Sequence, residues 1–182
     1  MRLLSFNGCV VKNIKEQSLE PFDDIKKVRM AIFDVDGIFT DGSVYVDSKG
    51  RELIKFSRID GKGIEMLKEA GIHIGVISSE ASDAVKFRMN KLSIFEVHLG
   101  IKNKLEIYNS IKEKYHLSDQ EICYCGDDIQ DIPVLKQCGF SCCPKNAQNE
   151  VKKICDYISE YKGGSGFIRE ICNIILSAIK IK

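Results

Sequence analysis

The apolar run Val28-Arg29-Met30-Ala31-Ile32-Phe33 stops abruptly at Asp34-Val35-Asp36-Gly37, with Thr40 and Asp41 close behind. A β-branched and aromatic run that ends in two acids reads as a buried strand delivering carboxylates at its carboxyl end. In open α/β sheets that end is where ligands bind. A second acidic cluster, Gly126-Asp127-Asp128-Ile129-Gln130-Asp131, follows another short strand, Glu121-Ile122-Cys123-Tyr124. Two carboxylate clusters on neighbouring strand ends repel unless a cation sits between them. An all-oxygen donor set favours Mg²⁺ over a soft metal. The pattern points to metal-dependent phosphoryl-transfer chemistry.

The rest of the chain supplies the frame for such a site. Alternation on both sides of the turn Asp47-Ser48-Lys49-Gly50 marks a β-hairpin over about 44–56. Strands are then expected over 73–77, 97–99, 121–124, 140–142 and 157–158. Helices are expected over 63–70, from Ser82 or Asp83 to Leu92, and over 103–115, 129–137 and 167–179. Such alternation implies an α/β fold, a doubly wound three-layer parallel sheet over residues 28–182, with the hairpin as its one inserted feature. Residues 1–27 hold no sustained period and contain Pro21-Phe22-Asp23-Asp24, which reads as an N-terminal arm.

Composition closes several other routes. The formal charge of +1 leaves no basic footprint for nucleic acid. No apolar stretch reaches the length of a membrane span, and Leu3-Leu4-Ser5-Phe6 is too short for a secretory signal core. The expected compartment is the cytoplasm, so the eight cysteines read as buried free thiols. A zinc site from Cys123, Cys125, Cys142 and Cys143 runs against the usual paired two-residue gap. His73, His98 and His116 have no ligand spacing and read as structural or surface residues.

Phosphate ester hydrolysis needs a nucleophile, an acid for the leaving oxygen and positive charge around the transferring group. Asp34 can attack phosphorus and form an aspartyl phosphate. Asp36 can protonate the departing alkoxide and later deprotonate the attacking water. The carboxylates of Asp34 and Asp127, with the Asp36 backbone carbonyl, can hold Mg²⁺. Ser78, after Gly75-Val76-Ile77, offers a hydroxyl and the amides of a strand-to-helix turn to phosphate oxygens. Lys104, at a helix start after Asn103, can offset transition-state charge, and Asp131 would orient it or a metal-bound water.

With Asp34-Val35-Asp36-Gly37, Ser78, Lys104 and Gly126-Asp127-Asp128 with Asp131 in that order, the sequence resembles the haloacid-dehalogenase superfamily of aspartate-nucleophile phosphatases. Within it, residues from about 28 to 176 resemble the small phosphatases of ulosonic acid biosynthesis. The likeness includes Thr40-Asp41-Gly42, the hairpin in place of a large cap, Asp60-Gly61-Lys62-Gly63-Ile64, Asn103-Lys104-Leu105 and Gly163-Gly164-Ser165-Gly166-Phe167-Ile168-Arg169-Glu170. It implies a cytosolic, Mg²⁺-dependent homotetramer whose hairpins form a central barrel and whose active sites are completed by neighbouring subunits. Ser78, Ser79, Glu80, Thr40, Asp60 and Gly61 are then expected around the phosphate and the sugar acid, with Asp128 and Asp131 in support.

Two departures bear on the substrate. Relatives acting on 3-deoxy-manno-octulosonate 8-phosphate usually read Thr-Gly-Arg where this chain has Ser78-Ser79-Glu80, and carry Arg at the position of Ser165. Relatives acting on nine-carbon 9-phosphates of KDN or N-acetylneuraminate place Glu at the position of Glu80. An Arg pairs a substrate carboxylate, whereas Glu80 favours a hydroxyl or amine donor. The resemblance therefore sets a nine-carbon substrate modestly ahead of the eight-carbon one. Rival classes are a non-catalytic oligomerisation module of a sialic acid cytidylyltransferase system, which the retained Asp34, Asp36, Lys104 and Asp127 oppose, and a signalling receiver domain, which has no use for the Asp34-x-Asp36 pair.

Overall fold

Strict alternation along the central strands divides the core into two halves. In β3 (Met30–Phe33), Ala31 and Phe33 face one side of a parallel sheet while Met30 and Ile32 face the other. β8 (Ile122–Cys125) repeats the pattern with Cys123 and Cys125 against Ile122 and Tyr124. Strands buried on both faces require helices on both sides, and the chain supplies them. The computed structural model describes residues 4–6, 9–11 and 25–179.

Two short strands, β1 (Leu4–Phe6) and β2 (Cys9–Val11), pair antiparallel within the expected arm. Most of that arm, including Pro21-Phe22-Asp23-Asp24, lies outside the described residues. After β3 the hairpin strands β4 (Tyr45–Val46) and β5 (Glu52–Leu53) project from the domain. They are shorter than the alternation suggested. Tyr45, Val46 and Leu53 are 63%, 61% and 68% exposed, because a two-residue pair has no sheet to pack on.

The domain then winds through α1 (Arg58–Glu69), β6 (His73–Ile77), α2 (Asp83–Lys91), β7 (Glu96–His98) and α3 (Lys104–Lys114) to β8. It continues with α4 (Ile132–Leu135), β9 (Phe140–Cys143), α5 (Asn149–Ile154), β10 (Tyr157–Ile158) and α6 (Phe167–Ile179). The sheet order is β10-β9-β8-β3-β6-β7, every neighbouring pair parallel. Helices α1, α2 and α6 cover one face, and α3, α4 and α5 the other. From β3 the chain builds outward through β6 and β7, then returns to the opposite side as β8. The crevice between the carboxyl ends of β3 and β8 is thus a topological switch point.

Two helices differ from the sequence expectation for identifiable reasons. α1 begins at Arg58 rather than near Gly63, because the Ser57 side chain caps it by accepting from the Asp60 N–H at 3.2 Å. Gly61 and Gly63 look like helix breakers but serve close packing. A Cβ at Gly63 would lie 3.1 Å from the Arg169 backbone on α6, and one at Gly61 would lie 2.7 Å from the Arg88 guanidinium. The segment expected as one helix over 129–137 is a 3₁₀ turn, Ile129–Asp131, followed by the short α4. Pro133 has no N–H to continue an earlier helix, and it suits the first turn of a new one.

Asp60 and Gly61, expected around the substrate, make contacts within the chain. Asp60 is buried, and its two oxygens accept from the N–H groups of Gly166 at 3.2 Å and Arg169 at 3.0 Å. It ties α1 to the start of α6 and satisfies orphan donors there. Gly61 is a packing position. Asp60→Ala should lower unfolding free energy by about 1–3 kcal/mol, read as a shifted urea midpoint, because two part-buried donors lose a buried acceptor. An unchanged midpoint would remove the cap from the account.

Candidate active site

Asp34 leaves the end of β3 with its backbone N–H bonded to the Cys125 carbonyl at 2.9 Å. Asp34 is only 2% exposed, as is Lys104, and Asp131 is fully buried. Lys104 Nζ lies 2.9 Å from Asp34 Oδ1 and 2.8 Å from Asp131 Oδ1. Lys104 opens α3, where a cation opposes the helix dipole. Only the two carboxylates justify it there. Burial works against its charge, yet Asp34 and Asp131 outweigh burial and hold the ammonium above its ordinary value.

Asp131 is fully engaged. Its Oδ1 also accepts from the Tyr124 hydroxyl at 2.7 Å, and its Oδ2 accepts from the N–H groups of Asp127 at 3.0 Å and Asp128 at 3.2 Å. It orients Lys104 and shapes the loop that presents Asp127. Asp128 caps the 3₁₀ turn, its Oδ1 accepting from the Ile129 N–H at 2.7 Å.

Asp127 lies against Gly37. Gly37 has φ +78°, and a Cβ there would stand 2.0 Å from Asp127 Oδ2, so no other residue fits. Asp34, Asp127 and Asp131 each bring an oxygen within 4.8 Å of the others. Desolvation first, then Asp131, pushes Asp34 up to about 8 against the pull of Lys104. Desolvation, then Asp131 and Asp128, pushes Asp127 up to about 7. One ammonium does not balance these carboxylates. With Asp131 occupied, Asp34 and Asp127 remain as hard oxygen donors suited to a divalent cation such as Mg²⁺.

The remaining expected residues surround this centre unevenly. Asp36 is half-buried and raised by desolvation and then by Glu80, which suits a group that must carry a proton. Thr40 Oγ1 accepts from the N–H groups of Gly37 at 3.2 Å and Gly42 at 3.1 Å and donates to Asp36 Oδ1 at 3.5 Å. Thr40 thereby forms the loop and holds Asp36. Ser78 is buried at the end of β6, its Oγ accepting from the Glu80 N–H at 3.2 Å. Glu80 itself is exposed.

Several contacts of the site had no signal in the sequence. Ser79 Oγ donates to Gln130 Oε1 at 3.0 Å, joining the loops after β6 and β8 that flank Asp34. Gly163 and Gly164 are buried against the loop after β3 of their own chain: the Gly164 N–H donates to the Ile38 carbonyl at 2.9 Å, and a Cβ on Gly163 would overlap the Gly37 carbonyl. Tyr124 was legible as a strand residue, but nothing in its spacing announced a bond to Asp131.

Comparison with known proteins gives the same picture. A family profile described as haloacid dehalogenase-like hydrolase matches residues 78–171. The 3-deoxy-D-manno-octulosonate 8-phosphate phosphatase of Salmonella typhi is 32% identical over 153 residues, 84% of this chain and 81% of its own. The crystal structure of the Yersinia pestis phosphatase of that name superposes with TM-score 0.86 at 31% identity, covering 87% of this chain and 86% of that one. The Moraxella catarrhalis phosphatase, solved with magnesium, phosphate and KDO, superposes with TM-score 0.86 at 31% identity, covering 88% and 92%. The chain is a haloacid dehalogenase-like hydrolase and belongs to the ulosonic acid phosphatase family of phosphoric monoester hydrolases.

The raised carboxylates carry a signed consequence. Their folded pKa values exceed the unfolded ones, so their contribution to stability is present at low pH and lost as pH rises through about 7 to 8. A cation between them reverses that loss. The rise in Tm on adding Mg²⁺ should therefore be larger at about pH 8 than at about pH 6. A pH-independent rise would mean that Asp34 and Asp127 are not the ligands.

Proposed function

We propose that this chain is a Mg²⁺-dependent phosphatase that releases the terminal phosphate of an ulosonic acid phosphate through an aspartyl-phosphate intermediate. The buried Asp34–Lys104–Asp131 contact beside Asp127 carries this reading. It holds a carboxylate oxygen at the switch point next to fixed positive charge, in a place where water is scarce. Ser78 and the turn after it face the transferring phosphoryl group, and Lys104 offsets the charge that grows on its oxygens. Asp36, whose pKa is raised by burial and then by Glu80, gives its proton to the departing sugar oxygen and takes one from the water of the second step. Mg²⁺ on Asp34, Asp127 and the Asp36 carbonyl would neutralise the phosphate and allow one anion to approach another.

The leading substrate is 3-deoxy-D-manno-octulosonate 8-phosphate. The relatives with that name match more than four-fifths of the chain, and the Moraxella catarrhalis neighbour was solved with KDO itself. A nine-carbon 9-phosphate is the second reading, favoured by Glu80. That carboxylate is exposed within electrostatic reach of Asp36, where an Arg would pair a substrate carboxylate. The apolar hairpin fits a homotetramer in which Tyr45, Val46 and Leu53 are covered by other subunits and neighbouring chains complete each site. No helix among the described residues is long and apolar enough to cross a membrane. A cytoplasmic setting suits free thiols and a sugar-phosphate substrate.

Phosphate release measured with Mg²⁺ on matched eight- and nine-carbon phosphates should give kcat/KM about tenfold or more higher for the eight-carbon substrate. The reverse order would transfer the assignment to the nine-carbon acid. Asp34→Asn should abolish turnover of either substrate, and retained activity would remove the covalent step. A null result across ulosonic acid phosphates with Mg²⁺ present would revive the non-catalytic oligomerisation module.

A further inference from the structure

The sheet separates the cysteines that sequence spacing had grouped. Cys143 faces the α3/α4/α5 side beside Cys155, while Cys123, Cys125 and Cys142 face the α1/α2/α6 side. Cys123 and Cys125 are two residues apart on β8 and so share a face. Cys142 on β9 is the register partner of Cys125. All three side chains are fully buried. Their sulfurs lie within 4.8 Å of one another, with 3.9 Å between those of Cys123 and Cys142.

Those separations match a coordination geometry. Three thiolates around one ion, each at about 2.3 Å, place their sulfurs about 4 Å apart when the ion lies in their plane. The cluster therefore needs sulfur movements well under about 1 Å to close on an ion. Among the described residues no His, Asp or Glu shares the cluster, so the donor set is wholly soft and opposite in character to the oxygen site at Asp34 and Asp127. Tyr124, between the two cysteines of β8, faces the other side of the sheet and donates to Asp131.

We propose that Cys123, Cys125 and Cys142 form a second metal site, a buried three-thiolate pocket for a soft closed-shell cation of the Cu⁺ or Cd²⁺ kind. Each thiol that ligates gives up its proton to solvent as the sulfur–metal bond forms, with no change in oxidation state. Uptake therefore strengthens with pH, and the ion enters while the core opens or before it closes. Once inside, it crosslinks β8 to β9 and raises stability.

Cd²⁺ serves as the probe because its bonds to sulfur absorb in the ultraviolet. The full chain, reduced, free of oxygen and saturated with Mg²⁺ at the carboxylate site, is titrated with Cd²⁺. The sulfur-to-metal absorption should saturate at one ion per chain, with a higher Tm. X-ray absorption at the cadmium edge should show three sulfur ligands. Cys142→Ala should lose that equivalent and its Tm gain, whereas Cys155→Ala, on the other face, should keep both. No saturable absorption, fewer than three sulfur ligands, or binding retained by Cys142→Ala would each overturn the site. Should Cys142→Ala fail to fold, the ligand count on the unaltered chain decides alone.

Discussion

A single buried ammonium, Lys104, holds the catalytic end of this molecule together. It contacts Asp34 from β3 and Asp131 from the loop after β8, so three separate segments converge on one charge. Taking any partner away would leave an uncompensated ion in the core, which costs several kcal/mol in comparable buried pairs. The cation also explains the local oddities. A lysine at a helix start and an aspartate accepting from one tyrosine and two backbone amides are explained by this contact.

The same contact is incomplete by design. Asp34 and Asp127 remain raised by burial and by Asp131 despite Lys104, and Gly37 leaves room for the Asp127 carboxylate that any Cβ would fill. A site with surplus negative charge and oxygen donors invites a hard cation, and through it a phosphate. Its position follows from chain order. Only a strand with neighbours built in opposite directions opens a crevice at its end, and β3 is that strand.

Much of this was legible in the sequence, because burial on both faces and acids at strand ends leave simple one-dimensional traces. The parallel strands, the last helix Phe167–Ile179 and the gathering of Asp34, Lys104, Asp127 and Asp131 follow from such traces. What was not legible depended on partners distant in sequence. The resemblance set Asp60 near the substrate, and nothing local announced that it caps α6 more than a hundred residues away. Gly61 and Gly63 lowered the apparent helix propensity while serving contacts with α2 and α6. Thr40 and the buried pair Gly163 and Gly164 act on the catalytic loop through backbone contacts that no local pattern encodes.

The central claim is that Asp34 itself carries the phosphoryl group, and chemical trapping tests it most directly. The enzyme is quenched with acid during turnover, treated with borohydride, which reduces an acyl phosphate to an alcohol, and digested for peptide mass spectrometry. The account predicts homoserine at position 34 and at no other acid of the site. Continuous phosphate release with residue 34 recovered only as aspartate would contradict it.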